Sequence, residues 1–183
     1  MDRLAQFRAS TMPAVVVFLA LILLGIPAAL HAENLMVYIE TWGPTELEHI
    51  EDEETYLKVQ YFLSAVEAGI MEVFFEAEYV VFNAGPISGV EEDVRRSEAH
   101  VLKVARDGGA DLLMRLSVRF DSVADGAPKP DLGELVYYRV DSEDTMLTER
   151  LQLADLTAER TKLSGKAGFE IGTAIARRVL DNS

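Results

Sequence analysis

The sequence predicts an α/β fold: a single domain of order β-α-β-α-β-β-β-α, with a mixed five-stranded sheet covered by three helices. Three observations carry this. Leu112, Met114, Leu116, Val118 and Phe120 alternate with Leu113, Arg115, Ser117, Arg119 and Asp121, the period of a half-exposed strand. Tyr56, Val59, Phe62, Leu63, Val66, Ile70, Val73 and Phe74 recur at three- and four-residue steps, the period of a helix with one buried side. Short polar turns join the last three strand patterns and demand antiparallel pairing. The strand–helix–strand alternation before them demands parallel pairing through right-handed crossovers.

The elements follow in order. Residues 34–41 set Leu35, Val37 and Ile39 against Met36, Tyr38 and Glu40, and Gly43-Pro44 ends that strand. Six acids fall between Glu46 and Glu54, a solvated run leading into a helix start, where carboxylates complement the positive end of the dipole. The long helix should end near residues 75–77. Gly69 inside it costs about 1 kcal/mol relative to Ala and marks a close packing contact. Residues 79–82 (YVVF) read as a buried strand. Ser88 and Glu91 form a capping box for a helix running to about Asp107, with Val90, Val94, Val101, Val104 and Ala105 inward, and Gly108-Gly109 stops it. After the alternating strand, Pro128-Lys129-Pro130 belongs to a loop. Residues 134–140 and 146–153 complete a meander, and 157–165 is a polar linker. Residues 167–180 form the last helix, with Phe169, Ile171, Ile175, Ala176, Val179 and Leu180 inward.

The N-terminus reads as an address. Arg3 and Arg8 precede an uncharged apolar run, residues 13–30, broken by Gly25 and Pro27 and closed by Ala32. That is the pattern of a secretory signal peptide over residues 1–32, with an uncut membrane anchor as the rival reading. Residues 33–183 then form one exported domain. A chain of that length buries roughly 68–70% of its unfolded surface and needs no disulfide. The 183 residues contain no Cys, which excludes disulfides, thiolate metal sites, a Cys nucleophile and a lipid-accepting Cys. An exported domain of this size without Cys fits a bacterial periplasm. The net charge of −14 argues against nucleic acid, which needs clustered Lys and Arg, and against lying on anionic lipid. The membrane becomes a partner only if the leader stays uncut.

Three local stretches bear a family resemblance. Val104-Ala-Arg-Asp-Gly-Gly-Ala-Asp-Leu-Leu113, Val136-Tyr-Tyr-Arg-Val-Asp141 and Ile175-Ala-Arg-Arg-Val-Leu180 resemble the N-terminal domain of the TolB translocation family. That fold type is shared with curli-secretion and penicillin-binding-protein-activator lipoproteins, and the resemblance spans about residues 34–181. It implies a cell-envelope interaction domain without catalysis.

The residues themselves offer few active-site candidates. Ser88 in Gly85-Pro-Ile-Ser-Gly89 lacks the spacing of a nucleophile elbow, and capping accounts for it. His49 and His100 have no metal-ligand spacing, and His100 reads as a surface helix residue. Asp121, Asp125 and Gly126 fail as a calcium loop because Val123 and Leu132 stand where oxygen ligands are needed. No cofactor is implied. Arg115 and Arg119 share one strand face, with Arg139 on the next strand as a third member, in a chain poor in basic residues. This group reads either as a surface for an acidic partner segment or as cross-strand pairing with nearby acids. Trp42, in a loop beside Gly43-Pro44 just after the first strand, is either a lid over the core or a binding anchor. The expected function is an exported envelope module that binds another envelope protein. A periplasmic small-ligand or ion-binding protein is the alternative, and a hydrolase comes third.

Overall fold

The alternating segment becomes the central strand. In the computed structural model, which describes residues 32–42, 52–84, 97–121, 128–159 and 163–182, five strands form one sheet. They are β1 (Asn34–Trp42), β2 (Val80–Asn83), β3 (Leu112–Asp121), β4 (Lys129–Arg139) and β5 (Asp144–Gln152), in spatial order β2-β1-β3-β4-β5. The β2–β1 and β1–β3 pairs are parallel, and the β3–β4 and β4–β5 pairs are antiparallel. The helices are α1 (Glu53–Glu76), α2 (Glu98–Asp107) and α3 (Gly165–Asn182). Order and pairing are those the sequence predicts. The expected leader, residues 1–32, lies outside the described residues except for Ala32.

Helix α1 starts where the acidic run predicts. Asp52 is its N-cap and accepts hydrogen bonds from the Thr55 N–H at 2.9 Å and from the Thr55 hydroxyl. Those bonds to the ionised form hold the Asp52 carboxyl below its ordinary range. Glu53 and Glu54 occupy the first turn.

Helices α1 and α3 cover one sheet face. Val59, Phe62, Val66, Ile70 and Phe74 of α1 meet Ile171, Ile175 and Val179 of α3 over Leu35, Val37, Met114, Leu116 and Leu135. The two helices approach until backbone meets backbone. A Cβ built on Gly69 would stand 2.3 Å from the Phe169 carbonyl oxygen. One on Gly168 would stand 2.5 Å from the Phe62 oxygen, and one on Gly172 2.0 Å from the Val66 oxygen. Gly69 therefore marks a close contact, as its cost inside a helix suggests. Phe169 differs from expectation: Ala167, Gly168 and Gly172 take the inner positions, and the Phe169 ring is left exposed.

Among the described residues, helix α2 alone covers the other face. Val101, Leu102 and Ala105 pack on Met36, Leu113, Tyr138 and Val140. The described helix begins at Glu98 with Ser97 as N-cap, accepting from the His100 N–H. Ser88 and Glu91 lie outside the described residues. Gly109, at φ 76°, makes the predicted stop, since the left-handed region suits glycine.

Two strand expectations change. β2 is an edge strand that pairs only with the start of β1, and Val80 is exposed rather than buried. β4 starts at Lys129, so Pro130 lies in the strand. A register shift between Arg119 and Phe120 sets Pro130 opposite Phe120, and such irregularities admit a residue without an N–H.

Candidate functional site

Because α2 is short, it leaves the far half of its sheet face uncovered by described helix, and the strand register arranges side chains there in rows. Tyr38 pairs with Arg115, Glu40 with Ser117, and Trp42 with Arg119. Across β3, Arg115 faces Val136, Ser117 faces Glu134 and Arg119 faces Leu132. The rows end on β5, where Glu134 faces Arg150.

Charges in these rows are paired. Arg115 donates to Glu40 Oε1 from Nε at 2.8 Å, with Nη2 at 2.6 Å, and Ser117 Oγ donates to the same oxygen at 2.6 Å. The side chains of Arg115 and Glu40 are only 18% and 10% exposed, so this is a largely buried ion pair. Glu40 Oε2 is buried with no hydrogen-bond partner among the described residues. Burial first, then the Glu98 carboxylate, push the Tyr138 phenol above its ordinary value, while Arg115 opposes them. Farther along, Arg119 bonds to Asp131, which is the main reason its guanidinium is held above its ordinary value. Its Cζ lies 5.4 Å from the centre of the Trp42 ring, within cation–π distance. Arg150 pairs with Glu134 at 2.8 Å.

The structure brings Arg115, Arg119 and Trp42 onto one face. Arg139 is not with them. It pairs across the sheet with Leu112, whose side chain belongs to the core under α1 and α3, and its guanidinium bonds to Glu33 at 3.1 Å. The physical reason is register. Tyr138 shares the Arg115 face, so the next residue must point to the opposite one. Trp42 is the last residue of β1, half-buried, with its Nε1 enclosed and unpaired among the described residues. His100 is half-buried too, and its Nε2 has no partner there. Among the described residues no three His, Asp or Glu side chains cluster to hold a metal; His49 and Asp125 lie outside them.

A feature that sequence reasoning missed adjoins the rows. β2 covers β1 only over Asn34–Val37, so from Tyr38 onward that edge of β1 has no strand neighbour among the described residues. A groove of about 350 Å³ runs along it. Tyr38, Ile39, Glu40 and Thr41 line one side, Gln60, Leu63, Ser64 and Glu67 of α1 the other, and Asn83 and Ala84 the end. The signal was the shortness of the β2 pattern beside the nine residues of β1.

No protein-family model matches the chain, and no curated protein matches it. Solved structures do. The PelC dodecamer from Paraburkholderia phytofirmans is 16% identical over 82% of this chain and 89% of that one, with a TM-score of 0.40. The LpoB C-terminal domain from Salmonella enterica is 13% identical over 76% and 91%, with a TM-score of 0.35. TolB from Acinetobacter baumannii is 12% identical, with a TM-score of 0.36; the match covers 82% of this chain and 29% of that one. The TolB- and LpoB-type fold that the sequence resembles is thus among the solved structures similar to this chain. Among the described residues no helix is long and apolar enough to cross a membrane.

Proposed function

We propose that this chain is an exported cell-envelope module that binds another envelope protein and performs no catalysis. The observation that carries the reading is the Trp42–Arg119 pair at the end of β1 and β3. Trp and Arg dominate the energetics of protein interfaces, because each offers a large rigid surface together with a polar handle. Here they stand at the end of a sheet face that no described helix covers, next to an edge of β1 that no described strand pairs. Arg115 acts differently, neutralising the buried Glu40 and supporting the face from below.

The test is capture by the tagged full chain from a solubilised envelope extract, run beside Trp42→Ala and Arg119→Ala. One saturable partner is expected, with capture lowered about tenfold or more by either substitution, the loss typical of an interface anchor. Equal capture by the variants, with unchanged melting temperatures, overturns the assignment of these residues. Arg115 is left intact, because its removal would strand Glu40. A second reading, a small-ligand or ion-binding protein, draws support from the groove and from Glu40 Oε2, which has no hydrogen-bond partner among the described residues. A thermal-shift screen with metals and metabolites checks it: a saturable rise in melting temperature favours it.

A further inference from the structure

We propose that the groove beside β1 accepts an extended, Lys- or Arg-bearing segment of a partner protein as an added strand. This deepens the interaction reading and rests on it. The backbone supplies the first argument. The Val80 N–H donates to the Glu33 oxygen, and the Ala84 N–H donates to the Val37 oxygen at 3.3 Å, so odd-numbered residues of β1 turn their peptide groups toward β2. Strand alternation then aims the N–H and C=O of Ile39 and Thr41 the same way, past the end of β2. Unpaired edge groups are a template for another strand. Natural edges are usually blunted by Pro or an exposed Lys, and residues 38–42 contain neither.

Charge supplies the second argument, and it selects the occupant. Two carboxylates line the groove. Glu67 has no ion-pair partner among the described residues, whereas Glu40 is already paired with Arg115. The whole chain carries −14. A cationic side chain on the added strand would meet the Glu67 carboxylate, whereas an acidic segment would be repelled. Leu63 and Ile39 offer apolar contact to alternate side chains between them. Main-chain bonds would give affinity and the Lys or Arg would give specificity, the usual division in strand addition. Trp42 ends the same strand, so one partner segment can engage both features.

The experiment uses the full chain and a fluorescein-labelled peptide of alternating Val and Thr with a central Lys. Amide exchange at Ile39 and Thr41 should be fast in the free chain and slowed about tenfold or more by saturating peptide, as for newly paired strand groups. Glu67→Lys, and separately Ser64→Trp to fill the groove from an exposed helix position, should each weaken anisotropy-detected binding about tenfold. A peptide with Glu for Lys, or with N-methylated alternate amides, should fail to bind. Binding that survives N-methylation in both phases overturns strand addition. So does slow exchange at Ile39 and Thr41 in the free chain, which would mean that its own residues or a second copy already cover the edge. If the peptide fails while capture still depends on Trp42 and Arg119, strand addition falls and the interaction reading stands.

Discussion

The two faces of the sheet are built on opposite rules. Under α1 and α3 the strands present Leu35, Val37, Met114, Leu116 and Phe120, all essentially inaccessible. The helices interlock there through glycines with backbone in contact. Under α2 the same strands present Met36 and Leu113 for one short stretch, then Glu40, Arg115, Ser117 and Arg119. α1 buries Val59, Phe62, Leu63, Val66, Ile70, Val73 and Phe74, whereas α2 buries Val101, Leu102 and Ala105. At roughly 1.5–3 kcal/mol per large apolar side chain, the first face holds the fold and the second adds comparatively little. What the second face has instead is charge and aromatic surface. Apolar packing and paired charge are separated across a single sheet.

Three substitutions can break or sharpen that division. The largest effect should come from Gly172→Leu. Even a Cβ there would lie 2.0 Å from the Val66 oxygen, and backbone cannot yield as a side chain can. Destabilisation of about 3 kcal/mol or more is expected, at the top of the overpacking range, with lost cooperativity in urea unfolding. A variant as stable as the parent would show that the first face is not rigid.

Next comes Arg115→Ala. Leaving Glu40 buried without its partner should cost about 3 kcal/mol. Replacing both, as Arg115→Met with Glu40→Leu, should recover stability to within about 1 kcal/mol, because an apolar pair avoids desolvating two charges. Failure of the double variant to recover would show that the pair does more than neutralise itself.

The smallest effect lies in Thr157→Val, and it varies with pH. Thr157 Oγ1 donates to Glu170 Oε2 at 2.7 Å, the main reason that carboxyl sits below its ordinary value. A lowered folded pKa gives stability that is present above the unfolded value and lost as pH falls through the folded one. The parent should therefore be the more stable at neutral pH, with the difference shrinking below about pH 4. Urea midpoints across that range check the sign. A difference that grows on acidification would assign the role of Thr157 to packing.

Most of the fold was legible because its signals are local. The alternation of β3, the period of α1, the Gly108-Gly109 stop and the polar turn before β5 each act within a few residues, and all place their elements correctly. What escaped was set between elements. The face of Arg139 depends on how β4 registers against β3, which no single strand's alternation contains. The outward Phe169 depends on how closely α3 approaches α1. Gly168 and Gly172, four apart, carried that signal, while apolar counting favoured the aromatic ring. Arg115 and Arg119 were grouped because alternate residues of one strand share a face, whereas Trp42, expected in a loop after the strand, is the last residue of β1 and joins them only through the pairing of β1 with β3. The groove was missed because it is a mismatch in strand length, seen only once β2 is laid beside β1.

The glycine crossing of α1 and α3 also decides how the molecule moves. Where backbone meets backbone there are no rotamers to exchange and little void to compress, so the two helices and the strands beneath them should open only together. Slow, whole-unit opening on that side leaves faster local excursions to the α2 side. The proposed recognition surface can then adjust to a partner without loosening the core below.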